Sequence, residues 1–251
     1  MLTEGHVVLI HAFPLNASLW QPQVDRAPDG WRVVTPDLPG FGRSSLSPAR
    51  TMDGMAHAVL AHLDELKIAR AVIGGMSMGG YVTLALFRLA PERFSGMVLA
   101  DTRATADNDQ QREGRRRMIA GVRQHGPQAV ADEMLPRLLG ATTHRDHPEL
   151  AARVRQMIET NSADAIAGAV EAMMGRLDSS PLLAEIAVPT LVVCGDEDVL
   201  TPPSDSEGLH AAIRGSRLAV LAGAGHLSNI EAADAFSLAL NAFLSGLASS
   251  H

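Results

Sequence analysis

Short apolar runs alternate with longer stretches of helical period along most of this chain. The runs Val7–Ile10, Arg32–Thr35, Ala71–Ile73, Met97–Ala100, Leu191–Cys194 and Leu218–Leu221 predict strands. Nearly all are continuously apolar rather than alternating, the pattern of strands covered on both faces. Helical patterns follow most of them, at Met55–Leu66, Met78–Leu89, Ser204–Ile213 and Ala232–Leu247. This alternation argues for an α/β fold, a mostly parallel sheet flanked by helices. No repeat at solenoid periods and no low-complexity tract interrupts it.

The rhythm breaks between Asp101 and Pro189. Only helix-like segments occur there: Arg112–Gln124, Gln128–Leu139, Glu149–Thr160 and Ala165–Leu177. Gly126-Pro127, His147-Pro148 and Ser180-Pro181 punctuate them. Compact domains rarely carry structureless loops of that length. A helical insertion is therefore expected over residues 104–180, with residues 1–103 and 181–251 forming the α/β core. It is either a second layer that only stabilises, or a cap over the carboxyl ends of the strands, where ligands bind in open α/β sheets. The cap reading is favoured, because the chemically suggestive residues cluster at the two junctions.

Composition narrows the field. With 251 residues, 46% hydrophobic and 20% charged, the chain is long enough to bury a core without a metal or disulfide staple. Its single cysteine, Cys194, excludes an intrachain disulfide and zinc-finger spacings, and reads as a small buried hydrophobe. A net charge of -7 repels phosphate backbones, so no nucleic-acid partner is expected. The opening MLTEGHVVLIHAFP has no basic n-region and only a short apolar run. It reads neither as a signal peptide nor as a spanning helix, which needs about 20 apolar residues. A cytoplasmic protein with no membrane partner is the expectation.

Candidate chemistry centres on Gly75-Met76-Ser77-Met78-Gly79, a G-x-S-x-G match between a predicted strand and a predicted helix. A nucleophile in that setting sits on a sharp turn that glycines at plus and minus two make room for. The helix N-terminus then aims backbone N–H groups at any oxyanion that forms. A serine hydroxyl needs a base, and the base needs an orienting carboxylate. Two loops beyond later strands supply candidates, Gly195-Asp196-Glu197-Asp198-Val199-Leu200-Thr201-Pro202 and Ala222-Gly223-Ala224-Gly225-His226-Leu227-Ser228-Asn229-Ile230-Glu231. Singly, a loop Asp is usually a helix cap and a loop His usually solvated. Three such loops in the order Ser…Asp…His are harder to dismiss.

These motifs resemble the α/β-hydrolase superfamily over nearly the whole chain, and within it the small carboxylesterase and enol-lactonase group. His11-Ala12-Phe13-Pro14 resembles the family's oxyanion loop, with alanine where the family has glycine and with Trp20 in its usual place beyond. Asp37-Leu38-Pro39-Gly40-Phe41-Gly42-Arg43-Ser44-Ser45 matches a further family stretch. The resemblance implies Ser77 as nucleophile, His226 as general base and then acid, and Asp198 as orienting carboxylate. It implies oxyanion donors at the backbone N–H groups of Phe13 and Met78, and substrate contacts from Phe13, Trp20 and Met78. Asp196 is the rival acid, and the family's G-x-x-D-x-x-x-P spacing favours Asp198. The antiparallel hairpin that often opens the family's sheet has no residues here, so about six strands are expected. No cofactor and no metal are implied.

The expected activity is a serine hydrolase that cleaves small carboxylic esters through an acyl-enzyme. A lactonase is the nearest alternative, and carbon–carbon, thioester and perhydrolytic chemistry use the same triad. A ligand receptor that keeps the triad but turns over slowly is the alternative outside enzymes. Among weaker signals, His144 and His147 lack a third ligand and read as a solvated turn rather than a metal site. Arg112, Arg116 and Arg123 share a helical face, with Arg115 and Arg117 beside them. They read as a solvated face, or as a dock for an acidic carrier or phosphate-bearing substrate. With aromatic residues at 4%, the pocket walls are expected to be mostly aliphatic and methionine, with Phe13 and Trp20 as exceptions.

Overall fold

The apolar runs pair into one sheet. In the computed structural model, which describes residues 5–248, the strands are β1 (Gly5–Ile10), β2 (Trp31–Val34), β3 (Ala71–Met76), β4 (Phe94–Ala100), β5 (Thr190–Gly195) and β6 (Arg217–Leu221). They are all parallel, in the order β2-β1-β3-β4-β5-β6. Strands β3 and β5 are buried along their whole length, as their unbroken apolar runs require. The edge strands depart from that expectation: β2 and β6 are half exposed, and Val220 is 47% exposed. An edge strand has no neighbour on one side, so an apolar sequence alone does not bury it.

The crossovers are helices. Between β1 and β2 lies α1 (Gln21–Asp25), then α2 (Met52–Glu65) leads to β3, and α3 (Met78–Leu89) leads to β4. Thr51 caps α2 by accepting the Gly54 N–H at 3.0 Å. Between β4 and β5 stand five helices: α4 (Asp109–His125), α5 (Pro127–Leu138), α6 (Ala141–Asp146), α7 (Pro148–Glu159) and α8 (Ala163–Met174). Four match the expected segments, each shifted by a few residues. The fifth, α6, was not expected, since six residues are too few to show a helical period. Helix α4 packs on α8 and α5, and α5 packs on α7. Arg50 ties this layer to the rest of the chain through Asp164 and Glu171, each at 2.7 Å. The chain closes with α9 (Pro203–Ala212), α10 (Ser228–Glu231) and α11 (Ala233–Ala248).

This strand order fixes where a ligand can go. From β1 the chain first moves to one side, to β2, and then crosses to the other, to β3. Loops leaving the carboxyl ends of β1 and β3 therefore part company and open a crevice between them. The oxyanion-loop candidate follows β1 and Ser77 follows β3.

Strand β3 runs three residues beyond its expected end at Ile73, through Gly74 and Gly75 to Met76. Glycine usually weakens a strand, but here it permits close approach: a Cβ on Gly74 would overlap the Val98 carbonyl of β4. We expect Gly74→Ala to destabilise the fold by about 1–3 kcal/mol through overpacking, read from the urea midpoint. An unchanged midpoint would contradict this account of the β3–β4 contact.

Candidate active site

Ser77 occupies the single residue between β3 and α3, with φ 55° and ψ -114°. A non-glycine residue rarely adopts positive φ, and holding it there costs on the order of 1–3 kcal/mol. The surroundings over-determine it. The Ser77 N–H donates to the Ala100 carbonyl at 2.9 Å, and the Ser77 carbonyl accepts from Gly80 N at 2.9 Å and Thr102 Oγ1 at 2.8 Å. The turn also needs bare backbone beneath it: a Cβ on Gly79 would overlap the Ile10 carbonyl, and one on Gly75 would overlap Gly79 itself. Helix α3 thus begins pressed against the end of β1, and Ser77 projects upward between them.

His226 lies on the loop after β6. Its Nε2 is 2.8 Å from Ser77 Oγ, and its Nδ1 is 2.8 Å from Asp198 Oδ2. Asp198 is buried and accepts three further hydrogen bonds, from Leu200 N at 2.8 Å, Thr201 N at 3.0 Å and Thr201 Oγ1 at 2.5 Å. Burial works against its charge, but the neighbouring His226 and these donors hold its carboxyl below the usual range. The two candidate acids part here. Asp196 is exposed and accepts the Gly223 N–H at 2.7 Å, while only Asp198 is bonded to the His226 ring.

The loop after β1 is braced from below. His11 is fully buried; its Nδ1 lies 3.0 Å from the Ala12 carbonyl and its Nε2 accepts the Leu38 N–H at 3.1 Å. Accepting at Nε2 requires a neutral ring with its proton on Nδ1, and burial lowers the pKa in the same sense. Asp37 accepts Ala17 N at 2.7 Å and Arg43 N at 2.9 Å, which closes the loop after β2 beside it. The backbone N–H groups of Phe13 and Met78 hydrogen-bond to no acceptor among the described residues.

A cavity of about 390 Å³ opens over Ser77 and His226. Its apolar lining includes Phe13, Tyr81, Met118, Met134 and Met173. Two expectations are corrected. Trp20 does not line the cavity: it is fully buried and packs on Phe236 with ring centroids 5.7 Å apart. The walls are also not mostly aliphatic, since arginines from both the core and the insertion contribute. Arg112, Arg116 and Arg123 do point outward, paired with Asp109, Glu113 and Glu171. Arg115 and Arg117 turn to the cavity instead. The side chain of Met78 is buried in the core, leaving only its backbone to face the site. Among the described residues no group of three or more His, Cys, Asp or Glu is placed to hold a metal ion. Burial raises the Cys194 thiol to about 11, so it carries no reactive thiolate.

Three acidic residues went unassigned in the sequence. Glu197 accepts Thr142 N at 2.8 Å and Thr142 Oγ1 at 2.6 Å, and Glu231 accepts Gly140 N at 2.7 Å and Leu227 N at 2.9 Å. Both join the loops of Asp198 and His226 to the start of α6. Asp101, fully buried at the carboxyl end of β4, accepts the Gly195 N–H at 2.9 Å and pairs with the Ser228 hydroxyl. Burial, and then the neighbouring charge of Asp198, raise its pKa well above the ordinary carboxyl value. Its place just past a strand end, on the edge that carries ligands, is the sequence signal that could have found it.

A carboxyl whose folded pKa is raised contributes most to stability below its unfolded pKa, near 4, and that contribution is lost as pH rises toward the folded value. Asparagine keeps both hydrogen bonds, tolerates the positive φ of 44° at this position, and has no proton to lose. We therefore expect the Tm of Asp101→Asn, relative to the parent, to increase as pH is raised above 4, measured between pH 4 and 8. A difference that stays constant over that range would show that Asp101 is ionised in the fold.

The motifs are those of a known family, and comparison with other proteins bears this out. Residues 5–233 match the family model described as the alpha/beta hydrolase fold. The chain is 32% identical over 240 residues to 3-oxoadipate enol-lactonase 2 of Acinetobacter baylyi, spanning 95% of this chain and 88% of that one. It is 30% identical over 261 residues to a pimeloyl-[acyl-carrier protein] methyl ester esterase of Neisseria meningitidis, spanning 96% and 77%. A solved thermophilic esterase from Thermogutta terrifontis, with malate bound, superposes with a TM-score of 0.95 at 38% identity, over 98% of this chain and 91% of that one. The chain belongs to the α/β hydrolase family, in the company of esterases and enol-lactonases.

Proposed function

We propose that this protein hydrolyses small carboxylic esters through a covalent acyl-enzyme on Ser77. The observation that carries the reading is the unbroken hydrogen-bonded line from Ser77 Oγ through His226 to Asp198, set on a turn with positive φ. His226 Nε2 takes the Ser77 proton as Oγ attacks the ester carbonyl. Asp198 keeps the imidazole proton on Nδ1 and stabilises the imidazolium that forms. Negative charge moves onto the carbonyl oxygen, and the free N–H groups of Phe13 and Met78 are the donors suited to receive it. His226 then protonates the leaving alcohol, and the same base activates water to release the acid.

Serine at this turn argues against chemistry that needs a carboxylate nucleophile there. Lactones fit the same steps, because a lactone is an ester whose leaving alcohol stays tethered. The 32% identity to a protein named 3-oxoadipate enol-lactonase supports that second reading. We assign residues 104–180 as the cap and residues 1–103 and 181–251 as the core. The support is that helices α4, α5 and α8 contribute to the wall above Ser77. A cavity of about 390 Å³ suits substrates of short to medium acyl length.

Two variants test the roles. Ser77→Ala should lower kcat on p-nitrophenyl butyrate by about 10⁴–10⁶ while leaving the melting temperature near the parent's. Asp198→Asn should cost about 10³–10⁴ through the wrong imidazole tautomer, and Asp196→Asn far less. An active Ser77→Ala protein, or a reversed ranking of the two aspartates, would overturn the assignment.

A further inference from the structure

The chain as a whole carries a net charge of -7. The charged lining of the cavity over Ser77 has the opposite balance. Arg103, Arg115, Arg117, Arg137 and Arg176 face it against two carboxylates, Asp107 and Glu133. Not all of these cations are free. Arg103 sits 3.2 Å from Asp205 and donates to the Leu200 carbonyl. Arg117 and Arg137 are 3.8 and 3.9 Å from Glu113 and Glu133, beyond hydrogen-bond distance, and are about half exposed or more.

The uncompensated charge lies deeper. Asp107 is shared by two guanidinium groups: Arg176 donates to it at 2.6 Å, and Arg115 donates through Nε at 3.1 Å. Arg176 is fully committed, since it also donates to the carbonyls of Thr105 and Met173 and stacks 4.2 Å over the Tyr81 ring. It alone neutralises Asp107, so Arg115 is not needed to bury that carboxylate. Beyond Nε, Arg115 makes no hydrogen bond among the described residues, and its side chain, 21% exposed, lines the cavity. Held by Nε, it presents its two terminal amino groups as a fixed fork, the geometry that matches a carboxylate through two parallel hydrogen bonds.

We infer that the cavity selects esters or lactones that carry a second, ionised carboxyl group, bound by Arg115, with Arg117 and Arg137 drawing the anion in from the rim. This rests on the ester-hydrolase reading and names its substrate class. A cleft of one charge sign with low-dielectric walls concentrates the oppositely charged substrate, so the preference should weaken with added salt.

The test compares matched esters: monomethyl adipate against methyl hexanoate, with the carboxylate on the acyl side, and 4-(butyryloxy)butanoate against butyl butyrate, with it on the alcohol side. At low salt, kcat/KM for at least one anionic ester should exceed that of its neutral partner about tenfold or more. Arg115→Gln should reduce kcat/KM on the favoured anionic ester roughly 10–100-fold more than on the neutral one. Arg115→Lys, which keeps the charge but not the fork, should fall between. Binding gives a separate readout: adipate should raise the melting temperature of Ser77→Ala protein, and should do so less when Arg115→Gln is added. Neutral esters turned over as fast as both anionic ones would overturn the inference and leave the hydrolase reading standing. No turnover of any ester would overturn the hydrolase reading itself.

Discussion

The contact between the backbone of Gly79 and the carbonyl of Ile10 is what the rest of the site depends on. It allows helix α3 to start directly against β1, and that in turn holds Ser77 at φ 55°. A residue held there projects its hydroxyl away from the sheet rather than into a helix or strand ladder. The strain is balanced by hydrogen bonds to Ala100 and Thr102, at the end of β4, and to Gly80 in the first turn of α3. Among the described residues the same turn leaves the Met78 N–H without a partner, so the feature that exposes the Ser77 hydroxyl also exposes a backbone donor beside it.

Carboxyl groups, two of them buried, set the remaining loops. Asp37 closes the loop after β2, Asp101 links β4 to the loops after β5 and β6, and Asp198 organises its own turn before it meets His226. They solve the cost of burial in different ways. Asp198 has donors at both oxygens, which hold its pKa down, whereas burial and the neighbouring charge of Asp198 push the Asp101 carboxyl up. Two adjacent ionised carboxyl groups in that interior would repel. Glu197 and Glu231 extend the arrangement to Thr142 and Gly140, so the loops of Asp198 and His226 are tied to the start of α6, directly after α5.

Much of this was legible in the sequence, for physical reasons. Central strands have unbroken apolar runs because both faces are covered, and the loops after β3, β5 and β6 carry turn glycines beside polar residues that the core would reject. The resemblance to the family's G-x-x-D-x-x-x-P loop ranks Asp198 above Asp196, and the fold separates them, burying one against His226 and exposing the other. What was not legible depends on orientation within an element. Helical spacing grouped Arg112, Arg116 and Arg123, but only packing of α4 on α8 reveals that Arg115 and Arg117 turn toward the cavity. Trp20 follows the loop after β1 closely in sequence, yet α11 offers Phe236 and draws it into the core. Glu197 and Glu231 make bonds to residues 55 and 91 positions away, which no local pattern encodes.

The central claim is that the strained turn presents Ser77 as a nucleophile that becomes acylated. Rapid-quench mass spectrometry of the intact protein, mixed with p-nitrophenyl butyrate and followed by peptide mapping, reads that step directly. A transient gain of one butyryl group on the peptide containing Ser77, formed no more slowly than turnover and lost as acid appears, is the expected result. Turnover with no acyl adduct, or an adduct mapped to another residue, would contradict the account.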